Sequence, residues 1–209
     1  MFICIEGIDG AGKSTQSRLL VDSLQRAGLS AELVWDPGTT PLGKAIRELI
    51  LTRNDPITPY AQMLLFSSAR AELSAEISTM LADNKIVVCD RWILSTLVYQ
   101  VVGNKLNEQL VLDIFRGTSL VPDLCFVLDL PPEAAEARRA PSKDRYESRP
   151  IEEKREMRRA YLNYARFCKD CAKFTTILNA DAPQEDIQRT ILETVIAITS
   201  TTGSKEVLC

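Results

Sequence analysis

The feature that most constrains this chain is a glycine-rich segment that directly follows its first apolar run. Residues 7–14 read Gly-Ile-Asp-Gly-Ala-Gly-Lys-Ser and match the pattern G-x-x-x-x-G-K-S/T. Residues 2–5 before it are typical of a buried strand, and Leu20, Leu24 and Ala27 after it stand at helical spacing. Between a strand and a helix, the glycines let backbone N–H groups converge on phosphate oxygens, and the helix N-terminus adds partial positive charge. The segment therefore predicts a site for the phosphates of a nucleoside triphosphate.

Individual side chains of this segment have expected roles. Lys13 would neutralise the β- and γ-phosphates, and the Ser14 hydroxyl would ligate Mg²⁺. Asp90 ends the apolar run 86–89 and is placed like a carboxylate that holds the metal through its water shell, although a solvated strand end is the alternative. A dinucleotide site is disfavoured, since G-x-G-x-x-G is absent. The predicted ATP-binding residues are Gly7, Ile8, Asp9, Gly10, Ala11, Gly12, Lys13, Ser14 and Thr15.

Apolar runs alternate with segments of helical spacing along the whole chain, which indicates an α/β fold. Continuous apolar runs at residues 2–5, 31–35, 86–89, 124–128 and 174–178 predict five strands. Strands of this kind are typical of a parallel sheet covered on both faces. No repeat or linker interrupts the pattern, so residues 1–209 are interpreted as one domain.

Composition excludes several classes of function. With 25 basic and 28 acidic side chains, the net charge of −3 supplies no general positive field for nucleic acid. No apolar stretch approaches the roughly 18 residues of a membrane span, and the chain begins without a basic leader. The absence of histidine removes the commonest general base. We therefore expect a cytoplasmic protein that binds neither nucleic acid nor membrane.

The six cysteines indicate a reducing compartment. Cys4, Cys89 and Cys125 lie within apolar runs, where a thiol behaves as a small hydrophobic side chain. Cys168 and Cys171 form a lone C-x-x-C in a stretch with helical character. We interpret these two as packing or surface cysteines rather than as a redox motif.

A basic segment follows the fourth predicted strand. Residues 138–159 are crowded with arginine and lysine and interrupted by Pro141 and Pro150, which predicts an exposed flap leading into a helix. A triphosphate site can serve a switch, a motor or a kinase. Transfer to a phosphate monoester needs no histidine, because that acceptor is already ionised, its second pKa being about 6. Such a reaction needs arginines and a cover that excludes water, and the flap could supply both.

Several segments together resemble the thymidylate kinases, which make dTDP from dTMP and ATP. They are residues 5–15, 36–43, 66–70, 90–100, 122–129 and 144–147, and the resemblance covers nearly the whole chain. It implies a P-loop fold whose five parallel strands have the order 2-3-1-4-5, with helices on both faces. It also implies a mobile basic lid at about 138–150, Mg²⁺ as cofactor and a homodimer.

The resemblance assigns the acceptor site residue by residue. Phe66 would stack on the pyrimidine and Arg70, one helical turn later, would donate to its O4; a core phenylalanine and a surface arginine are the alternative. Arg91 would bridge the acceptor phosphate and the transferring group, and Tyr99 would exclude a ribose 2′-hydroxyl. The implied dTMP-binding residues are Asp9, Pro37, Arg47, Phe66, Arg70, Arg91, Thr96, Tyr99 and Gln100, with Pro37 alternatively a plain turn residue.

The phosphate loop contains no arginine, so the chain resembles the branch of the family whose catalytic arginine comes from the lid. Arg138, Arg139 and Arg145 are the candidates beside Lys13, Arg91 and Asp9, with Arg149 a weaker one, and a solvated basic face is the alternative for each. Trp35-Asp36 stands where relatives commonly carry Arg-Glu, which puts acceptor-phosphate contacts from this loop in doubt.

Two other classes of function stay open at this point. The chain could be a P-loop kinase for another monophosphate or for a deoxynucleoside, in which case Glu6 or Asp90 would have to act as base for the 5′-hydroxyl. It could also be a nucleotide-binding switch with slow turnover, which no monophosphate would stimulate.

Overall fold

A single parallel sheet of five strands, in the order β2-β3-β1-β4-β5, organises the molecule. The computed structural model describes residues 1–52, 55–138 and 149–203, the last four of these by their backbone alone. The predicted α/β class and strand order are both confirmed. The strands are β1 (Phe2–Gly7), β2 (Ala31–Trp35), β3 (Ile86–Asp90), β4 (Leu124–Asp129) and β5 (Phe174–Asn179).

Helices cover both faces of the sheet. They are α1 (Lys13–Arg26), α2 (Pro41–Thr52), α3 (Pro59–Ala82), α4 (Ile93–Thr96), α5 (Glu108–Thr118), α6 (Pro132–Ala137), α7 (Ile151–Phe167) and α8 (Gln184–Gly203). The chain leaves β1 through α1 for the edge strand β2 and returns through α3 to β3. Right-handed crossovers in opposite directions place α1 and α3 on opposite faces. Helix α8 packs beside α1, and α5 packs beside α3. No helix among the described residues is long and apolar enough to cross a membrane.

The register of the central strands brings polar residues together at one edge of the sheet. All six residues of β1 are buried, as expected for a central parallel strand. Ile5 is paired with Asp90 of β3, and Glu6 is paired with Val127 of β4. The carboxyl ends of β1 and β3 therefore lie side by side, with Glu6, the glycine-rich loop and Asp90 at this edge.

Two helical features were not predicted. Helix α4 continues as a π-helical segment (Leu97–Val102) up to Gly103. There the Gly103 amide donates to the Val98 carbonyl, five residues back, at 3.0 Å. The short helix α6 was missed altogether. Of the predicted lid at about 138–150, only Arg138, Arg149 and Pro150 belong to the described residues, and the last leads directly into α7.

Three cysteines are reduced, as expected for a reducing compartment, whereas two others form a disulfide. Cys4, Cys89 and Cys125 are free and buried in the strands. Cys168 and Cys171 are joined by a disulfide, at a Cα–Cα distance of 5.6 Å. Helix α7 ends at Phe167, and the chain turns back at once, so the two side chains meet within the range that a disulfide spans.

Candidate active site

The glycine-rich loop between β1 and α1 needs glycine for two different reasons. A Cβ on Gly7 would lie 2.7 Å from the Leu128 carbonyl oxygen, so β4 leaves no room for a side chain there. Gly12 has open space around it but adopts φ 96° directly before α1, a left-handed conformation that costs other residues free energy. The first glycine permits close packing, and the second permits the turn that points the loop amides outward.

Lys13 is folded back over this loop. Its Nζ donates to the Ile8 carbonyl at 2.8 Å and lies 3.9 Å from the Asp9 carboxylate. Burial, helped by the positive charge of Arg91, lowers the pKa of Lys13 to about 8. An anion such as a phosphate beside Nζ would form a closer ion pair with Lys13 than the Asp9 carboxylate does at this distance. Lys13 lines a cleft together with residues of the loop, of α1 and α2, and of the strands β2 and β3 or directly after them: Asp9, Gly10, Gly12, Ser14, Thr15, Ser17, Arg18, Leu33, Trp35, Asp36, Arg47, Asp90 and Arg91.

Gly7, Ile8 and Ala11 were also predicted to bind ATP, but they do not line this cleft. All three are buried beneath the loop. The Ile8 carbonyl accepts from the Ala11 amide at 3.2 Å as well as from Lys13. These residues shape the loop from within, so we expect them to act on its conformation.

Ser14 and Asp90 form a set of oxygen atoms suited to a hard cation. The Ser14 hydroxyl donates to Oδ2 of Asp90 across the gap between α1 and β3. The other carboxylate oxygen, Oδ1, is buried and has no hydrogen-bond partner among the described residues. Mg²⁺ prefers oxygen ligands and is usually held by one or two protein groups together with substrate phosphates and water. The two residues therefore fit the predicted metal.

A second pocket adjoins the phosphate cleft, and every residue that the resemblance assigned to dTMP lines it. Those residues are Asp9, Pro37, Arg47, Phe66, Arg70, Arg91, Thr96, Tyr99 and Gln100; Asp36, Ile50, Leu51 and Ser95 complete the wall. Asp9, Asp36, Arg47 and Arg91 line both pockets. The structure thus brings two binding sites together at a shared wall of two carboxylates and two guanidinium groups.

Asp9 and Arg91 form the centre of that wall. Arg91 pairs through Nη2 with Oδ1 of Asp9, and the Tyr99 hydroxyl donates to Oδ2 of the same carboxylate at 2.9 Å. The Arg91 guanidinium lies 5.6 Å from the centre of the Tyr99 ring. Burial and the nearby Asp9 carboxylate raise the pKa of Tyr99, so its hydroxyl stays protonated and remains a donor.

Arg70 is a buried residue and not the surface arginine of the alternative interpretation. Only 3% of it is exposed. Its Nε donates to Oδ2 of Asp36 at 2.8 Å, and Nη2 donates to the Thr96 hydroxyl at 2.7 Å. The remaining nitrogen, Nη1, has no hydrogen-bond partner among the described residues, so it can serve a ligand in the pocket. Phe66 lies in the same pocket, half-buried against Ile46, Ile50 and Ala69.

The departure at Trp35-Asp36 has a clear structural outcome. Asp36 is turned inward to Arg70, and burial raises its pKa although Arg70 opposes the shift. Trp35 lies over the following turn, where a Cβ on Gly38 would come within 2.5 Å of the indole nitrogen. Neither residue replaces the missing arginine. Besides Arg70, Arg47 reaches this turn and donates to the Pro37 carbonyl at 3.3 Å.

The candidate lid arginines do not line either pocket in the described residues. Arg138 donates to the Ala180 carbonyl at 2.8 Å and to Asp181 at 3.3 Å, both just after β5. Arg149 pairs with Glu153 at the start of α7 at 3.1 Å. Arg139 and Arg145 lie outside the described residues.

Sequence reasoning missed four residues of the acceptor pocket. Ser95 stands one helical turn after Arg91, a spacing that could have indicated it. Ile50 and Leu51 are apolar residues of α2 and were not predicted to contact a ligand. Asp36 was noted only as the aspartate that stands where relatives commonly carry glutamate, because no residue near it in the sequence indicates a contact with Arg70.

Comparison with known proteins agrees with this geometry. The family described as thymidylate kinase matches residues 5–191. The thymidylate kinase of Synechococcus sp. (strain JA-2-3B'a(2-13)) is 43% identical over 155 residues, which cover 73% of this chain and 74% of that protein. The thymidylate kinase of Exiguobacterium sp. (strain ATCC BAA-1283 / AT1b) is 35% identical over 202 residues, or 94% of each.

A solved structure has the same fold. The thymidylate kinase from Ehrlichia chaffeensis superimposes with a TM-score of 0.73 at 24% identity, over 93% of this chain and 98% of that one. The family match spans the loop, both pockets and all five strands. The chain belongs to the thymidylate kinase family.

Proposed function

We propose that this protein transfers the γ-phosphoryl group of ATP to dTMP and releases dTDP and ADP. The observation that carries the proposal is the shared wall between the two pockets. A triphosphate held by the loop and a monophosphate held beside Arg70 and Phe66 would present their phosphates to Asp9 and Arg91 from opposite sides. Two phosphates that meet in this way are positioned for direct transfer.

The acceptor pocket supports a pyrimidine monophosphate. Nη1 of Arg70 can donate to a carbonyl oxygen of the base, and the Phe66 ring offers a face for stacking. Gln100 and Thr96 line the same end of the pocket. At the other end Arg91 and Arg47 can hold the acceptor phosphate. Tyr99 lines the same pocket and is bonded to Asp9, and we expect it to press on the sugar and disfavour a 2′-hydroxyl.

The chemistry asks for charge neutralisation more than for proton transfer. The acceptor phosphate is largely ionised at neutral pH, so no side chain has to remove a proton from it. Lys13 and Arg91 can stabilise negative charge on the transferring group in a partly buried site. Mg²⁺, held by Ser14 and Asp90 together with the nucleotide, would supply further positive charge at the phosphate oxygens.

The geometry disfavours a deoxynucleoside kinase. Such an enzyme needs a base for the 5′-hydroxyl, and Glu6 was one of two candidates. Glu6 is fully buried, and both of its carboxylate oxygens accept hydrogen bonds from the segment after β3. Asp90 is engaged by Ser14. Neither carboxylate is directed at the acceptor pocket.

A coupled assay for ADP release tests the proposal. With ATP and Mg²⁺ we expect dTMP to be the preferred acceptor among dTMP, dUMP, dCMP and AMP, and deoxythymidine to be inert. Preference for dCMP or AMP would contradict the assignment of the base pocket. Tight ATP binding that no monophosphate stimulates would instead favour the switch.

The affinity for ATP is expected to fall above pH 8. The pKa of Lys13 is about 8 in the structure, and phosphate oxygens at Nζ favour the ammonium form and raise that pKa. Binding then takes up a proton, so affinity is full below pH 8 and declines by up to about tenfold per pH unit above it. Isothermal titration calorimetry in two buffers of different ionisation enthalpy measures both effects.

Lys13→Arg serves as the control for this pH dependence. Arginine stays charged throughout this pH range, so the ATP affinity of this variant should not change with pH. Equal affinity of the unmodified protein at about pH 7 and pH 9.5, without proton uptake, would show that Lys13 does not titrate on binding.

A homodimer and a cytoplasmic location stay proposals. For the dimer, several large apolar side chains of α2 and α3 are exposed, among them Leu49, Leu51, Tyr60 and Leu64. A second copy could cover them, since grouped exposed apolar residues often mark an interface. Size-exclusion chromatography with light scattering should give twice the chain mass, and Leu64→Glu should give a monomer.

A further inference from the structure

The backbone at Arg91 is held in a conformation that this residue would not adopt by itself. Arg91 has φ 73°, in the left-handed region, which is unfavourable for a residue other than glycine. Its amide donates to the Ile5 carbonyl at 3.1 Å. The thiol of Cys89 donates to its carbonyl at 3.0 Å. These bonds fix one side of the turn, and the following amides need an acceptor of their own.

Glu6 supplies that acceptor from the end of β1. Oε1 accepts from the Trp92 amide at 2.7 Å and from the Ser95 amide at 3.1 Å. Oε2 accepts from the Ser95 hydroxyl at 2.6 Å. Glu6 has no exposed surface, and a buried carboxylate is costly unless its oxygens are satisfied in this way. One side chain thus ties down both the turn after Arg91 and the start of α4.

The Ser95 hydroxyl links the Glu6 carboxylate to the guanidinium group of Arg91 by hydrogen bonds. Its only hydrogen is given to Glu6, so its lone pairs face the other way. There Nη1 of Arg91 donates to it at 3.2 Å, and the Tyr161 hydroxyl lies 2.9 Å away. Nη1 also lies 3.5 Å from the Tyr161 oxygen. Glu6 therefore fixes Arg91 at its backbone and, through Ser95, at its side chain.

We propose that Glu6 is a positioning residue that sets the Arg91 guanidinium in the wall between the two pockets. It touches neither pocket and acts through Trp92 and Ser95. The inference rests on the proposed function, because Arg91 must serve the phosphates for its placement to matter. If Glu6 served only as a residue of β1, its carboxylate would not need the hydrogen bond from the Ser95 hydroxyl.

Glu6→Gln tests the proposal with little change of shape. The amide can keep one oxygen for the Trp92 and Ser95 amides, but its NH₂ group is a donor and turns the Ser95 hydroxyl around, so that its hydrogen opposes Arg91. We expect kcat to fall at least about tenfold while KM for ATP stays within about twofold. In an Arg91→Ala background the same change should lower kcat by less than about twofold, because Glu6 then has nothing to position.

Asp123→Asn is the matched control. Asp123 is a second carboxylate that accepts a backbone amide, that of Phe2 at 2.7 Å, but it lies at the opposite end of β1 from Glu6. Its kcat should equal that of the unmodified enzyme. If Glu6→Gln does not fold, as judged by circular dichroism and thermal melting, Ser95→Ala is the second variant. It keeps the Glu6 carboxylate with its two backbone hydrogen bonds and removes the hydroxyl that joins this carboxylate to Nη1 of Arg91 and to Tyr161. It should show the same dependence on Arg91.

The outcomes separate the two proposals. The positioning role is overturned if Glu6→Gln lowers kcat by the same factor with Arg91 present and with Arg91 replaced by alanine. It is also overturned if Glu6→Gln and Ser95→Ala each lower kcat by less than twofold. An unmodified enzyme that does not phosphorylate dTMP overturns the proposed function instead.

Discussion

Arg91→Ala is expected to lower kcat by about two to three orders of magnitude, the loss typical of removing one preorganised charge donor. Arg91 lines both pockets, at the centre of the wall between them, and it is held there by Asp9, Ser95 and its own backbone turn. Among the described residues, Arg47, the other arginine of the wall, is bound to the Pro37 carbonyl, and Arg138 is bound near β5, so we expect neither to take its place. The measurement is steady-state kinetics with both substrates varied.

The conservative variant and a distant arginine make this result interpretable. Arg91→Lys keeps the charge but not the forked geometry, so we expect it to recover only part of the activity. Arg116→Ala removes an exposed arginine of α5 that pairs with Asp113 and Asp170, and it should be neutral. Turnover of Arg91→Ala within a factor of two of the unmodified enzyme would remove Arg91 from the mechanism.

Lys13→Ala is expected to abolish turnover and to weaken ATP binding strongly. Lys13 is the buried cation at the mouth of the phosphate loop, and its loss leaves the loop amides alone against a highly charged triphosphate. The fold should persist, since the polar contacts of the Lys13 side chain with described residues are those to the Ile8 carbonyl and to Asp9. Circular dichroism checks the fold, and the coupled assay checks activity.

Lys85→Ala is the control for this second variant. Lys85 stands just before β3, at the end of the sheet away from the site, where it pairs with Glu32 at 3.0 Å. Its removal should leave kcat and KM unchanged. Appreciable turnover by Lys13→Ala would show that the loop does not depend on this cation.

Local sequence was enough to predict the sheet and the loop, because both depend on short-range pattern. The apolar runs gave the strands directly, and the spacing of Gly12, Lys13 and Ser14 gave the triphosphate site. The positions of Phe66 and Arg70 came from a family resemblance, and the physics of their helix would have left Arg70 on the surface. Its burial depends on Asp36, which is 34 residues away in the chain.

What escaped prediction depends on contacts between distant segments. Glu6 could be read only as a strand residue or as a base, since its partners Trp92 and Ser95 come from beyond β3. Asp36 was missed for the same reason, whereas the spacing of Ser95 from Arg91 could have indicated Ser95. The π-helical segment has the same apolar composition as an ordinary helix, so no sequence pattern distinguishes its wider turn.

The Asp9–Arg91 pair forms part of both pockets, and this gives the enzyme a way for its substrates to sense one another. The first nucleotide to bind and to draw Arg91 away from Asp9 loses binding free energy, because two opposite charges must be separated. The second nucleotide binds without this loss, since the guanidinium is already released. By thermodynamic reciprocity, each nucleotide raises the affinity for the other by the same factor. Donor and acceptor sites would thus communicate through one ion pair, without any movement of the sheet.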